Sequence, residues 1–171
     1  MLLYHGSPTL IPAPSLSMAR GYRDFGCGFY LAEDEIDSLT YCFKGDSSFG
    51  FLHTYEVDED CLLGLPGALS FDDKGDEWLR VVYECRMFGH PTSFGTDPAV
   101  IAGPTAGMKV NDVFRRYRKE GTSFEDCVDE LRRSIVTDKY GIQWCLRSTE
   151  AVQMLHLIDR ERVWRDEECG V

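Results

Sequence analysis

The sequence predicts an α+β fold in a single domain spanning residues 1–171. Three observations predict it. The chain has 171 residues, of which 43% are hydrophobic and 27% charged, an ordinary composition for a folded protein with a sizeable core. Short strand-like runs and helix-like periodicities are mixed along it without a βαβ rhythm, which argues against a doubly wound parallel sheet. No apolar run approaches the ~18 residues of a membrane span, and residues 1–20 lack the basic start and apolar stretch of a secretory leader. A cytoplasmic location without membrane association is the expectation.

The elements follow in order. Met1 to Tyr4 is a short apolar run that His5-Gly6-Ser7-Pro8 is expected to end, as a strand stopping at a turn. Residues 8–24 carry Pro8, Pro12 and Pro14 and read as an irregular loop; whether it closes as a lid is left open, since its prolines would make it semi-rigid and glycine hinges at Gly21 and Gly26 could let it move. Gly26-Cys27-Gly28 opens an aromatic strand, Phe29-Tyr30-Leu31. Asp34 caps a helix that runs to about Lys44 and ends at Gly45.

Strands are expected at Phe51 to Val57 and at Cys61 to Leu65. A helix follows from Asp73 or Asp76 to about Met87, with Trp78, Leu79, Val82 and Cys85 at helical spacing. Ala99 to Ala102 is a buried strand stopped by Gly103-Pro104. Helices are predicted over 109–119 and 123–134, the second with Ser123 and Asp126 in a capping-box arrangement. Gly141 to Arg147 alternates, with Ile142, Trp144 and Leu146 on one face and Gln143, Cys145 and Arg147 on the other. Ser148 caps a helix from Thr149 to about Leu155, a last strand runs from His156 to Trp164, and the acidic tail Asp166-Glu167-Glu168 is expected to be loose.

With 18 Lys+Arg against 29 Asp+Glu, the net charge of −11 speaks against a protein that coats nucleic acid through its phosphates. The dense basic cluster, Arg115, Arg116, Arg118 and Lys119, reads as a solvated helix face. Seven cysteines with no CxxC pair suggest neither a zinc site nor a disulfide framework, so no metal is expected. Reduced, buried thiols are expected, although two could pair in a secreted protein. Nothing in the spacing fixes a Cys–His catalytic pair among His5, His53, His90 and His156.

Four segments are candidates for chemistry. His5-Gly6-Ser7, at a strand end, offers a backbone that a ligand can approach closely and a ring that can bond a sugar hydroxyl. Asp24-Phe25-Gly26-Cys27-Gly28-Phe29-Tyr30 has two glycines in three residues, the mark of a backbone that turns sharply or touches something; it is not a phosphate loop, because a strand follows. Ser38 and Tyr41 share a helix face, and Tyr41 lies eleven residues beyond Tyr30. Two aromatics so placed could hold a flat heteroaromatic ring between them. Gln143 projects away from the Trp144 face, towards a cleft or water. For each segment the plain alternative is a turn, a core aromatic or a solvent-facing side chain.

Taken together, these segments resemble the ADP-ribosyltransferase superfamily, in the branch of the poly(ADP-ribose) polymerases and diphtheria toxin. That branch has an early His-Gly pair, a Gly-x-Gly-x-Tyr segment and a second aromatic eleven residues on. The chain is also similar to a family of uncharacterised bacterial proteins of that superfamily, through residues 3–7, 24–31, 101–104 and 143–144. The resemblance implies a split β-sheet core with peripheral helices, and NAD as co-substrate. His5 would bond the adenosine ribose. Gly6 and Ser38 would hold the nicotinamide carboxamide, and Tyr30 and Tyr41 would sandwich its ring. Ser7 and Gly28 complete the cofactor-binding set. His5, Tyr30 and Gln143 would form the catalytic set.

Gln143 stands where that branch usually has glutamate. Cleaving the nicotinamide–ribose bond builds positive charge on the ribose, which a carboxylate stabilises; a neutral amide keeps the hydrogen bond but not the charge. Its absence costs ~3 kcal/mol, on the order of 10²-fold in rate. Chain elongation is therefore not expected. Transfer of a single ADP-ribose to a macromolecular target is, with a second carboxylate such as Glu150, or one from the target, compensating. The acidic charge favours a protein target over nucleic acid. A bacterial toxin or defence protein with an antitoxin or other regulatory partner fits by analogy alone. The alternatives are a weak or inactive module that binds NAD or ADP-ribose, and a purely structural protein. Tyr30→Ala is expected to abolish transfer and leave the fold intact.

Overall fold

A computed structural model describes residues 1–18, 21–45, 47–121, 123–134 and 141–165. The acidic tail and Cys169 lie outside the described residues. Among the described residues are seven strands in one mixed sheet and six α-helices. The strands are β1 (Leu2–Ser7), β2 (Phe29–Ala32), β3 (Phe49–Glu56), β4 (Leu69–Ser70), β5 (Val100–Pro104), β6 (Ile142–Leu146) and β7 (His156–Trp164). Their spatial order is β4-β5-β6-β2-β1-β3-β7. Every neighbouring pair is antiparallel except β4 and β5.

The helices are α1 (Glu35–Cys42), α2 (Glu59–Leu63), α3 (Asp76–Phe88), α4 (Met108–Glu120), α5 (Phe124–Ser134) and α6 (Thr149–Gln153). Their starts follow capping chemistry. The side chains of Asp34, Asp58 and Ser148 accept from Ile36, Cys61 and Ala151 N–H respectively, satisfying donors that a helix start leaves without partners. The Ser123 hydroxyl likewise accepts from Asp126 N–H at 3.2 Å and donates to the Asp126 carboxylate at 2.8 Å.

Register assigns the two faces of the sheet, because directly opposed residues point the same way. Phe29, Leu31, Trp144, Leu146, Val100 and Ala102 share a face and pack with Ala151 and Val152 of α6 and Leu62 of α2. Tyr30, Cys145 and Ile101 share the other, under α3, α4 and α5. Both faces are covered, so strands read as half-exposed alternators, β6 above all, are buried on both sides.

The seam between β2 and β1 is narrow. They share one residue pair, Tyr4↔Ala32, whereas β1 and β3 share six, from Leu2↔Glu56 to Ser7↔Phe51. Beyond Tyr4 the backbone of β1 is committed to β3, and His5 and Tyr30 meet through a side chain instead of a ladder.

Three expectations need correction. β1 does not stop at His5: pairing with β3 carries the strand through Ser7. Residues 61–65 are not a strand. Asp58 caps a helical turn there, with Glu59 and Asp60 in its first turn, where negative charge is favourable. β5 continues through Gly103 and Pro104, paired with Gln143 and Ile142. The described cysteines are free thiols: Cys42, Cys85, Cys127 and Cys145 buried, Cys27 and Cys61 exposed.

Candidate functional site

His5 sits at the seam. Its Nδ1 lies 2.6 Å from Tyr30 O. A carbonyl only accepts, so Nδ1 carries the hydrogen and the neutral ring leaves Nε2 as an acceptor. The ring stacks on Phe29, with centroids 4.5 Å apart. Burial pushes its pKa down to about 4, with the bond to Tyr30 O opposing and His53 and Lys44 adding to the fall. Nε2 has no hydrogen-bond partner among the described residues.

His53 lies directly opposite on β3. Its Nδ1–H donates to His5 O at 3.2 Å and its Nε2 accepts from Ile11 N–H at 3.2 Å. Burial lowers its pKa as well. Arg160 of β7 donates to Pro12 O. The first part of the loop over residues 8–24 is therefore tied down at Ile11 and Pro12.

Gly6 and Gly28 are glycines for reasons of packing. A Cβ at Gly6 would fall 1.8 Å from Ser38 O, so the neighbour that approaches this backbone closely is helix α1. A Cβ at Gly28 would fall 2.3 Å from Cys145 Sγ and 2.8 Å from Leu146 O of β6. Ser38 is 3% exposed and donates to Tyr4 O at 2.9 Å, a second side chain serving a backbone group beside the seam. Ser7 is buried, and its hydroxyl accepts from Thr9 N–H at 3.2 Å.

Tyr30 is half-buried against the core under α3. Its hydroxyl accepts from Phe25 N–H at 3.0 Å and donates to Gly26 O at 2.8 Å, closing the turn that precedes its own strand. Burial holds its pKa well above 10, with Cys145 and Asp24 contributing and the Phe25 bond opposing. Tyr30→Ala is therefore expected to lower stability as well as to remove a site ring, because it takes away a ring packed on the core and the partner of two backbone groups. Tyr41 is 41% exposed, with Lys44 Nζ 4.3 Å above its ring. Burial raises its pKa, aided by Asp24 and opposed by Arg23.

Gln143 is half-buried on the face of the sheet that carries Tyr30 and Cys145. Its Nε2 donates to Asp24 Oδ2 at 2.9 Å. Asp24 is 6% exposed and accepts from three further donors: Arg86 Nε at 2.9 Å, Arg86 Nη2, and Ala106 N–H at 3.0 Å. Sequence reasoning missed this carboxylate as a site residue. It joins Gln143 directly and acts electrostatically on both Tyr30 and Tyr41. Nearby, the nearly buried Arg147 side chain donates to Phe25 O, Cys27 O, Pro98 O and Asp97, fastening the glycine turn from behind.

Glu150, the carboxylate named as a compensator, is exposed in the first turn of α6, whose buried residues pack with Trp144 on the other face. A cavity of about 550 Å³ lined by Met1, Glu56, Asp58, Glu59, Asp60 and His156 lies at the opposite end of β1 and includes none of the candidates. Among the described residues no group of three or more His, Cys, Asp and Glu is placed to hold a metal ion. Nor is any helix among them long and apolar enough to cross a membrane.

The fold and site together define a mixed α/β sheet protein with a polar cluster beside a one-pair seam. The chain belongs to the protein family of unknown function DUF3990, whose family model matches residues 1–157. No curated protein and no solved structure matches it.

Proposed function

We propose that the chain is an NAD-dependent mono-ADP-ribosyltransferase, moving one ADP-ribose from NAD to a macromolecular target. The observation that carries the reading is the convergence on the segment that begins at Asp24. One buried carboxylate bonds Gln143, and the Tyr30 hydroxyl closes the turn at Phe25 and Gly26 that follows it, so two residues singled out by the resemblance lie about one segment although 113 residues separate them (143 − 30).

On this reading His5 Nε2 accepts from an adenosine ribose hydroxyl, a role that requires the neutral ring its lowered pKa provides. Tyr30 and Tyr41 flank the nicotinamide. Gly6 and Ser38 hold its carboxamide, with a small adjustment of α1, since Ser38 is buried. Ser7 and Gly28 shape the two strand ends. In the reaction the bond between ribose C1′ and the nicotinamide nitrogen breaks and its electron pair leaves with nicotinamide. The acceptor's nucleophile bonds C1′ and gives up its proton. Gln143 orients the ribose 2′-hydroxyl as positive charge grows on the sugar. A protein target, a toxin or defence role and a regulatory partner remain part of the proposal by analogy.

The second reading, an NAD- or ADP-ribose-binding module without turnover, is favoured by one observation: the group at the reacting end, Gln143, is a neutral amide. The test is nicotinamide release from NAD by the purified protein, with and without cell lysate, beside Tyr41→Ala. That side chain is 41% exposed, so its removal tests stacking at small structural cost. Loss of a stacked ring worth about 1–1.5 kcal/mol predicts roughly tenfold slower release. Release only with lysate places the target there, and protease against nuclease treatment of the labelled product classifies it. With no release in either tube, binding of NAD in a calorimeter supports the module, and no binding overturns both readings.

A further inference from the structure

The geometry points to Asp24 as a positioning residue that orients and polarises Gln143, so that the neutral amide presents an acceptor oxygen to the ribose. The inference rests on the proposed reaction and deepens it. An amide can sit either way round, and its neighbours decide which. Here the neighbour is a carboxylate that already takes N–H bonds from Arg86 and Ala106. Turning the amide over would set Oε1 against Oδ2, two acceptors at 2.9 Å with no hydrogen between them. Nε2 is therefore held to Asp24 and Oε1 is turned away from it. Oε1 has no partner among the described residues.

The same bond does electronic work. An amide N–H donating to a carboxylate pulls electron density towards its own carbonyl oxygen, and chains of hydrogen bonds in a low-dielectric interior strengthen one another. Asp24 thus lends part of its charge to Oε1. Gln143 gains some of the character of the glutamate that the resemblance leads one to expect, while Arg86 balances the charge at Asp24 itself. Replacing Gln143 by glutamate alone would put two carboxylates side by side, a pairing that raises one of their pKa values.

The experiment compares wild type, Asp24→Asn, Gln143→Glu and the double variant Asp24→Asn/Gln143→Glu. It reads kcat and KM for nicotinamide release from pH 5 to 9, with melting temperatures as the check on folding. Asp24→Asn is expected to lower kcat at least tenfold and change KM less than threefold. Gln143→Glu is expected to add a rising limb to the pH profile, as the crowded carboxyl loses its proton. The double variant is expected to lose that limb and to exceed Asp24→Asn in kcat. Additive single effects, or an unshifted profile for Gln143→Glu, overturn the proposal while leaving the transferase reading in place.

The contact is also read without turnover. In wild type the Gln143 side-chain amide signal, assigned by its loss in Gln143→Glu, should show one strongly hydrogen-bonded proton in an NMR spectrum, and Asp24→Asn should move it. An unmoved signal overturns the orientation. A wild type that neither binds NAD nor releases nicotinamide overturns the transferase reading, and with it the role assigned to Oε1.

Discussion

Lowering the pH from 7 to 4.5 should destabilise this protein through His5, and the size of the effect follows from its surroundings. The ring lies between Phe29 and the seam, and burial moves its pKa from 6.5 to about 4. Between these values the unfolded chain binds a proton that the folded chain refuses. Stability therefore rises with pH across the window: the contribution is complete above 6.5 and is lost as pH falls towards 4. The full interval corresponds to about 3 kcal/mol, which solvent reaching the half-buried ring reduces to about 1–2 kcal/mol. Urea unfolding at pH 7, 5.5 and 4.5 measures it, with His5→Asn as the reference, because an asparagine amide can keep the donation to Tyr30 O without titrating. His53 titrates in the same direction in both proteins, so the difference isolates His5. Wild type should lose about 1–2 kcal/mol more than His5→Asn between pH 7 and 4.5. Parallel losses would refute the account of a neutral His5 bonded to Tyr30 and, with it, the acceptor role given to Nε2.

Three other perturbations follow from the same contacts. Gly6→Ala places a Cβ 1.8 Å from Ser38 O; α1 must shift, and stability should fall by about 3 kcal/mol or more, read as a lower urea midpoint. Tyr30→Phe keeps the ring but strips Phe25 N–H and Gly26 O of their partner, a loss of about 1–3 kcal/mol that thermal melting will show. Arg147→Met leaves Asp97 and the Phe25, Cys27 and Pro98 carbonyls without their donor; about 2–4 kcal/mol should be lost, with faster amide exchange over residues 25–28.

What could be read from the sequence was local. Asp34, Ser148 and the Ser123–Asp126 pair announce their helices because capping acts within three residues, and the last strand falls at His156–Trp164 as expected. Cys61-Leu62-Leu63 misled because a short apolar run suits strand or helix alike; the signal that could have decided was Asp58 before two acids. The two-residue β4 carries too little pattern to be seen. The candidate segments were legible as segments, Asp24 at the head of one of them, but the role of its carboxylate was not. Its partners Arg86, Ala106 and Gln143 lie 62, 82 and 119 residues away, and no spacing rule spans such distances.

The seam explains why these particular side chains sit where they do. Two strands that share a single pair leave backbone groups in need of partners beside it, and side chains supply them: His5 Nδ1–H serves Tyr30 O, and the Ser38 hydroxyl serves Tyr4 O. Gln143 Nε2–H is likewise spent on Asp24. Each group commits a donor to the protein, and His5 and Gln143 keep acceptors, Nε2 and Oε1, for what arrives. On the proposed reading, acceptors of this kind suit a ligand rich in hydroxyl donors, as the two riboses of NAD are. It predicts a specific pattern of loss. An NAD analogue lacking a ribose hydroxyl that meets either acceptor should bind or react about 10–100-fold more weakly, the equivalent of one hydrogen bond to a buried acceptor left unmade. His5→Asn, which removes Nε2, should erase the penalty for the hydroxyl on the adenosine side while leaving that on the nicotinamide side. If both penalties survive His5→Asn, the ring holds the seam together and takes no part in binding.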